Sequence, residues 1–199
     1  TTRLAAAWLT PQIQEAIGTE LQACDRVMDW FMHVAQTLAK YDIPLEWRLG
    51  DGFTVLQHYK KSDSVTVNTF WDGVRSQIKI NVTNSKLDRR QQKSGVAPNI
   101  VHSIDALHCR KTVNTCLLNG IQDFAMCHDS FGCHLADIDV MSQILREEFV
   151  EIYSQNFMED LYEQVEDQCS AKVFSKIEPP PNLGQLDIQA VLESEFFFG

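Results

Sequence analysis

Residues 125–137, AMCHDSFGCHLAD, carry an apolar run into a His-Asp pair and out again. Residues 122–127 (QDFAMC) read as a short strand, His128-Asp129-Ser130 as a turn, and residues 131–135 (FGCHL) as the returning strand. Asp129 therefore stands at a hairpin tip. A carboxylate there has two uses. It can accept from a backbone N–H and close the turn, or an apolar base can hold it out as a hard oxygen ligand for Mg²⁺. In the second case His128 is a neighbour and not a ligand. Three residues do not choose between these readings.

Downstream, Val140, Ile144, Leu145, Phe149, Ile152 and Tyr153 recur at helical spacing and form the buried face of a helix that begins at Asp137. A second helix is expected over 157–169. Pro179-Pro180-Pro181 is a stiff linker to a short helix near 187–193, and the chain ends Phe196-Phe197-Phe198-Gly199. Upstream, residues 94–120 (SGVAPNIVHSIDALHCRKTVNTCLLNG) open at Gly95, read as a loop glycine. Pro98 suits a first helical turn. Ile100, Ile104, Leu107 and Leu118 form the stripe, and Asn119-Gly120 is the C-cap.

Two hairpins precede that helix. Residues 45–59 (LEWRLGDGFTVLQHY) alternate around Gly50-Asp51-Gly52. In residues 64–82, Val65, Val67 and Thr69 alternate, Asp72-Gly73 turns, and Ile78, Ile80 and Val82 alternate again, which makes an arm more than a core. Residues 4–40 read as one helix with a buried face of Leu9, Ile13, Ile17, Leu21, Cys24, Met28, Phe31, Ala35 and Leu38. The fold class is α+β, with helices packed around short antiparallel hairpins.

The 199 residues suffice for one domain with its core, or one domain plus an appendage. No apolar run is long enough for a membrane span, and the N-terminus lacks the apolar core of a signal peptide. Cys24, Cys109, Cys116, Cys127, Cys133 and Cys169 include no C-x-x-C pair, which excludes zinc-finger and redox spacing. They read as reduced, mostly buried thiols of a cytoplasmic protein. The net charge of −10 is unevenly spread. Residues 58–111 hold ten Lys/Arg against four Asp, whereas residues 120–199 hold three Lys/Arg against sixteen Asp/Glu. A basic middle segment able to face phosphate thus sits inside an acidic body.

The string QQKSGVAPNIVHSIDALHCRKTV (91–113), followed by FAMCHDSFG (124–132), resembles the C-terminal part of bacteriophage-type single-subunit DNA-dependent RNA polymerases. So do GDGFTVLQHYKK (50–61), the L-R-E-x-F-V of the downstream helix (Leu145–Val150) and the closing Leu192-Glu193-Ser194-Glu195-Phe196-Phe197-Phe198-Gly199. The resemblance covers nearly the whole chain. It implies the C-terminal portion of a right-hand polymerase, with the helix and first hairpin of fingers and palm over 1–57, a promoter-reading arm over 58–93, a palm core over 94–178, and a tail docking near the active site over 179–199.

The resemblance also assigns roles. Asp129 would be one of two metal-binding, catalytic palm aspartates, served by Mg²⁺ and supported by His128, Ser130, Phe197 and Phe198. His102 would lie beside the primer–template minor groove. Asn68, Arg75 and Gln77 on the arm would meet base edges, and Lys60, Lys61, Arg89, Arg90 and Lys93 would meet phosphate. The partners implied are template and promoter DNA, RNA product and nucleoside triphosphates, in the cytoplasm of an infected host.

The family's first catalytic aspartate and its nucleotide-binding helix find no counterpart in this sequence. The chain is therefore expected to be a fragment or one subunit of a split polymerase, inactive alone and completed by an N-terminal polypeptide that carries that aspartate. A second expectation is a non-catalytic promoter-reading or assembly subunit. A third, an HD-type phosphohydrolase built on His102, His128 and Asp129, needs its His-Asp pair on a helix, and the expected strand and turn oppose it.

Overall fold

The computed structural model describes residues 2–127 and 129–197. Its helices are α1 (Thr2–Glu20), α2 (Gln22–Lys40), α3 (Arg89–Leu118), α4 (Ile138–Tyr153), α5 (Phe157–Gln168) and α6 (Ala171–Phe174). Its strands are β1 (Leu45–Arg48), β2 (Thr54–Gln57), β3 (Lys60–Trp71), β4 (Val74–Leu87), β5 (Ala125–Cys127) and β6 (Ser130–Gly132). They pair as three separate antiparallel hairpins. The expected α+β class holds.

The main core lies where α2, β1, α3, α5 and α6 meet, with Phe31, Val34, Leu38, Leu45, Trp47, Ile100, Leu107, Leu161 and Val165 buried together. Trp47 is fully buried, and its indole N–H donates to Ser103 Oγ at 3.0 Å, so the ring is packed without an orphaned donor. The outer edge of β1 would expose unpaired backbone groups, but two glutamines one turn apart on α5 cover it. Gln168 accepts from the Glu46 N–H at 2.9 Å and donates to its carbonyl at 2.6 Å. Gln164 does the same for Arg48 at 2.6 and 3.2 Å. A second, smaller core of Cys116, Ile121, Met141, Ile144 and Leu145 joins α3 to α4, with Phe124 and Phe131 packed against it.

Several expectations need correction. The helix over 4–40 is divided at Leu21, where the backbone leaves helical geometry (φ −112°, ψ 45°) although hydrogen bonds to Ile17 and Asp25 run across the break. Thr19 Oγ1, which donates to the carbonyls of Glu15 and Ala16, weakens the ladder there. Its apolar face is buried only beyond Trp30; Leu9, Ile13, Ile17, Leu21, Cys24 and Met28 are exposed.

The long helix α3 starts nine residues before Pro98, at the Asp88 cap, whose carboxylate accepts from the N–H groups of Arg90 and Gln91. Pro98 and Gly95 are interior to it. Leu118, at its last turn, is exposed. On α4, Val140 and Tyr153 are exposed, and Met141 and Glu148 take up the buried positions instead. Of the six cysteines only Cys116 is buried. No helix among the described residues is long and apolar enough to cross a membrane.

Candidate active site and nucleic-acid interface

The hairpin of β5 and β6 pairs Ala125 with Gly132, Met126 with Phe131 and Cys127 with Ser130. It is tight: a Cβ on Gly132 would fall 3.0 Å from the Ala125 carbonyl oxygen. Asp129 is exposed at its tip. Among the described residues no hydrogen bond or ion pair engages the Asp129 carboxylate, so the turn-closing use of this side chain is not realised there. Ser130 follows it at the first position of β6, also exposed. His128 and Phe198 lie outside the described residues.

The hairpin is backed by aromatic rings. Phe131 meets the edge of His108 at 5.7 Å between ring centroids, and His108 meets Phe149 at 5.7 Å. His108 is buried, and its Nε2–H donates to the Leu145 carbonyl, which can only accept, at 2.9 Å. Burial pushes its pKa below the ordinary histidine value, against the Leu145 bond and the charges of Asp105 and Glu148. Phe149 in turn meets Phe197 at 5.0 Å.

Arg146 of α4 holds the C-terminal tail. Its Nη1 donates to the carbonyls of Val191 (2.9 Å) and Ser194 (2.6 Å), and the guanidinium stands 5.4 Å over the Phe197 ring. Phe197 thereby joins Asp129, Ser130, Phe131, Met141 and Leu145 in lining a cleft of about 510 Å³. Phe196 is exposed.

His108, Arg146 and Glu148 were not singled out in the sequence. His108 falls four residues after Ile104 and eight after Ile100, on the apolar stripe of α3, which is the signal that marks it as buried. Glu148 is buried and accepts from Thr115 Oγ1 at 2.5 Å, with Lys111 Nζ at 3.3 Å. Burial pulls the Lys111 ammonium down, but the bonds to Glu151 and Glu148 outweigh it and hold its pKa above the usual lysine value.

The arm is a ribbon of 12 and 14 residues turned by Asp72 and Gly73, both with positive φ (49° and 77°). Its register puts Asn68 opposite Gln77 and Phe70 opposite Arg75, so all four share one face with Thr66 and Lys79. Gln77 Nε2 donates to Asn68 Oδ1 at 3.0 Å. The other face carries Val65, Val67, Trp71, Val74, Ile78, Ile80 and Val82, all exposed.

At the root, Lys60 pairs with Leu87, two residues before Arg89 and Arg90 open α3. Lys93 lies apart from these, lining a groove with Arg26, Asp29, Trp30, His33 and Glu178. His102 is exposed on α3, while Asp129 sits on a hairpin, so an HD-type helix pair is not formed. No cluster of three or more His, Cys, Asp or Glu able to hold a metal occurs among the described residues.

An exposed carboxylate on a backed hairpin, together with a basic helix start and a two-faced ribbon elsewhere in the chain, suits a protein that works on nucleic acid. Residues 1–177 match the family model described as DNA-dependent RNA polymerase, and the chain belongs to that family in its phage-type, single-subunit form. It is 36% identical over 183 residues to DNA-directed RNA polymerase 3, chloroplastic, of Nicotiana sylvestris, covering 92% of this chain and 18% of that protein. To T7 RNA polymerase of Escherichia phage T7 it is 34% identical over 210 residues, covering 98% and 24%. To DNA-directed RNA polymerase 1, mitochondrial, of Nicotiana sylvestris it is 31% identical over 194 residues, covering 98% and 19%. The chain spans about a quarter or less of the length of these curated relatives. Their names are organellar as well as viral, so membership does not assign the chain to the cytoplasm of an infected host.

Proposed function

We propose that this chain forms the C-terminal palm-side portion of a right-hand DNA-directed RNA polymerase, with Asp129 as a metal-binding catalytic aspartate. The observation that carries the reading is the Asp129 carboxylate, exposed and engaged by none of the described residues, at the tip of a hairpin braced by Phe131, His108, Phe149 and Phe197. A free hard oxygen on a rigid support suits Mg²⁺. When bound in such a site, Mg²⁺ neutralises charge on the reacting phosphate oxygens and the attacking hydroxyl.

The protein's own part is positioning. Gly132 keeps the hairpin tight, Phe131 holds it against α4, and the tail pinned by Arg146 closes one wall of the cleft with Phe197. Ser130 flanks this support, and the family resemblance gives His128 and Phe198 supporting roles at the same site. One carboxylate does not complete a two-metal site. The first aspartate and the nucleotide-binding helix then come from outside these 199 residues, on an N-terminal polypeptide or on a longer chain. The 58–93 arm reads promoter DNA with Asn68, Arg75 and Gln77, His102 meets the primer–template duplex, and Lys60, Lys61, Arg89, Arg90 and Lys93 supply salt-dependent phosphate contacts. The substrates are template DNA and nucleoside triphosphates, and the product is RNA.

The test is primer extension with Mg²⁺ and four nucleotides by this chain alone, by a polypeptide supplying the first aspartate, and by the two together. Extension by the mixture only is the expected result. Extension by this chain alone would require a second internal carboxylate, with Asp105 and Asp137 the first to examine. Promoter binding without extension by the mixture would make the chain a promoter-reading or assembly subunit.

A further inference from the structure

The arm leaves the body through a block of buried amides. Gln57, the last residue of β2, and Gln92, in the first turns of α3, are 3% and 1% exposed. Gln57 Nε2 donates to the Gln92 carbonyl at 2.8 Å and to Gln92 Oε1 at 2.7 Å, and Gln92 Nε2 donates back to the Gln57 carbonyl at 3.0 Å. Asn99, two turns further along α3, donates through Nδ2 to Gln57 Oε1 at 2.9 Å and to the Tyr59 hydroxyl oxygen at 3.0 Å. Gly95 lies between them on the same side of the helix. A Cβ there would fall 2.8 Å from Tyr59 Cε2 and 3.2 Å from its hydroxyl oxygen.

The arm's first strand starts, and its second ends, next to this block. The Tyr59 carbonyl accepts from the Asp88 N–H at 2.9 Å, and the Leu87 N–H donates to Asp42 Oδ1 at 2.9 Å. Just beyond it the ribbon slips register, between Lys60 and Ser62. Buried amides are a costly way to fill space unless every bond is made. Their directional bonds fix one geometry where apolar side chains would tolerate sliding. The bonds on each side join two different structures, the β2–β3 junction and the helix that carries His102 three residues after Asn99.

Resting on the promoter-reading assignment of the arm, we propose that Gln57, Tyr59, Gln92, Gly95 and Asn99 form a specificity-determining anchor. The anchor fixes the angle between the arm and α3, so that the Asn68–Gln77 face on promoter DNA and His102 on the primer–template duplex keep a constant relation. These are positioning residues: none needs to touch nucleic acid. Tyr59 and Gly95 set the angle by contact, the ring occupying the space that any larger residue at position 95 would take. Swinging the ring aside to admit a Cβ breaks the bond from Asn99.

The experiment uses the complete polymerase that contains this chain and compares two readouts. One is the ratio of initiation on its own promoter to initiation on a promoter with one base pair changed. The other is extension of a preformed primer–template without a promoter. Gly95→Ala is expected to lower the ratio by about tenfold and Tyr59→Phe by about threefold, with extension within about twofold of wild type. In a Tyr59→Ala background, adding Gly95→Ala should have no further effect, because the contact it disturbs is gone. Parallel loss of initiation and extension in Gly95→Ala and Tyr59→Phe, an unchanged ratio in both, or a Gly95→Ala effect that persists without the ring would each overturn the proposal. Asn68→Ala serves as the reference. If it shifts promoter choice while the anchor variants do not, only the anchor fails. If it leaves promoter choice unchanged, the arm assignment itself falls.

Discussion

Two hairpins of this chain use one motif in opposite ways. The ribbon of β3 and β4 is long and exposed on both faces, with Leu87 its one buried strand residue. The hairpin of β5 and β6 has three residues a side and rests on the small core of α3 and α4. A two-stranded ribbon gains little stability by itself, so the long one trades packing for reach and relies on its root. The short one has no reach, but its tip is placed by the rings behind it. The contrast teaches that a hairpin's use is set by what lies behind it rather than by its strands.

The largest expected effect falls at the short hairpin. Asp129→Ala or Asp129→Asn in the assembled enzyme should lower nucleotide addition by about 10³-fold or more, since a lost metal ligand forfeits several kcal/mol of charge stabilisation. Assembly, followed by size-exclusion chromatography, should be unaffected. Near-normal transcription would remove Asp129 from the catalytic site and leave the short hairpin without a catalytic use.

Next comes packing. Phe131→Ala should destabilise the fold by about 2–3 kcal/mol, because the half-buried ring supports the hairpin against His108 and the α3–α4 core. Trp71→Ser on the ribbon, at a residue 80% exposed, should change stability by about 0.5 kcal/mol at most. Urea unfolding of the two variants measures both. Equal losses would mean that the ribbon is packed after all.

Asn68→Ala or Gln77→Ala should cost about 1–2 kcal/mol in discrimination between promoters, the worth of one base contact, with a smaller change on a promoter-free template. Their mutual bond means that the double variant should lose less than the sum of the singles. Equal loss on both templates would make these residues structural parts of the ribbon.

The smallest effect is on pH. Burial holds the His108 pKa below its unfolded value, so the unfolded chain takes up a proton that the folded chain refuses. Stability from this group is therefore complete above about pH 6.5 and falls as pH drops below it, by at most about 1.4 kcal/mol per unit. Replacing His108 with Phe should flatten that limb of the melting-temperature profile relative to wild type. An unchanged slope would place the proton on another group.

The hairpins were legible because their signals are local. Strict alternation around Asp72-Gly73 fixes strands, turn and register at once, and the structure pairs Val65 with Ile80 and Val67 with Ile78 on one face. The start of α3 differs from the expected one for an equally local reason. Pro98 looks like a first-turn residue, whereas the true start depends on Asp88 and on Gly95 fitting under Tyr59, a contact 36 positions away in sequence. The 4–40 stripe was legible as helix but not as exposed: periodicity reports which face is apolar, and says nothing of whether this chain covers it.

By itself the sequence determined the hairpins, the helical stripes, the apolar approach to Asp129 and the resemblance that led to the family, because each is written within a few dozen residues by spacing and side-chain type. Only the tertiary structure decided that His108 and Phe149 stand behind the Asp129 hairpin, that Arg146 holds the tail so Phe197 reaches the same cleft, and that Gln57 and Gln92 bond the end of β2 to α3. The physical reason is that buried hydrogen bonds and ring contacts form between residues tens of positions apart. Which donor meets which acceptor there is settled by packing the whole core, and no local pattern encodes it.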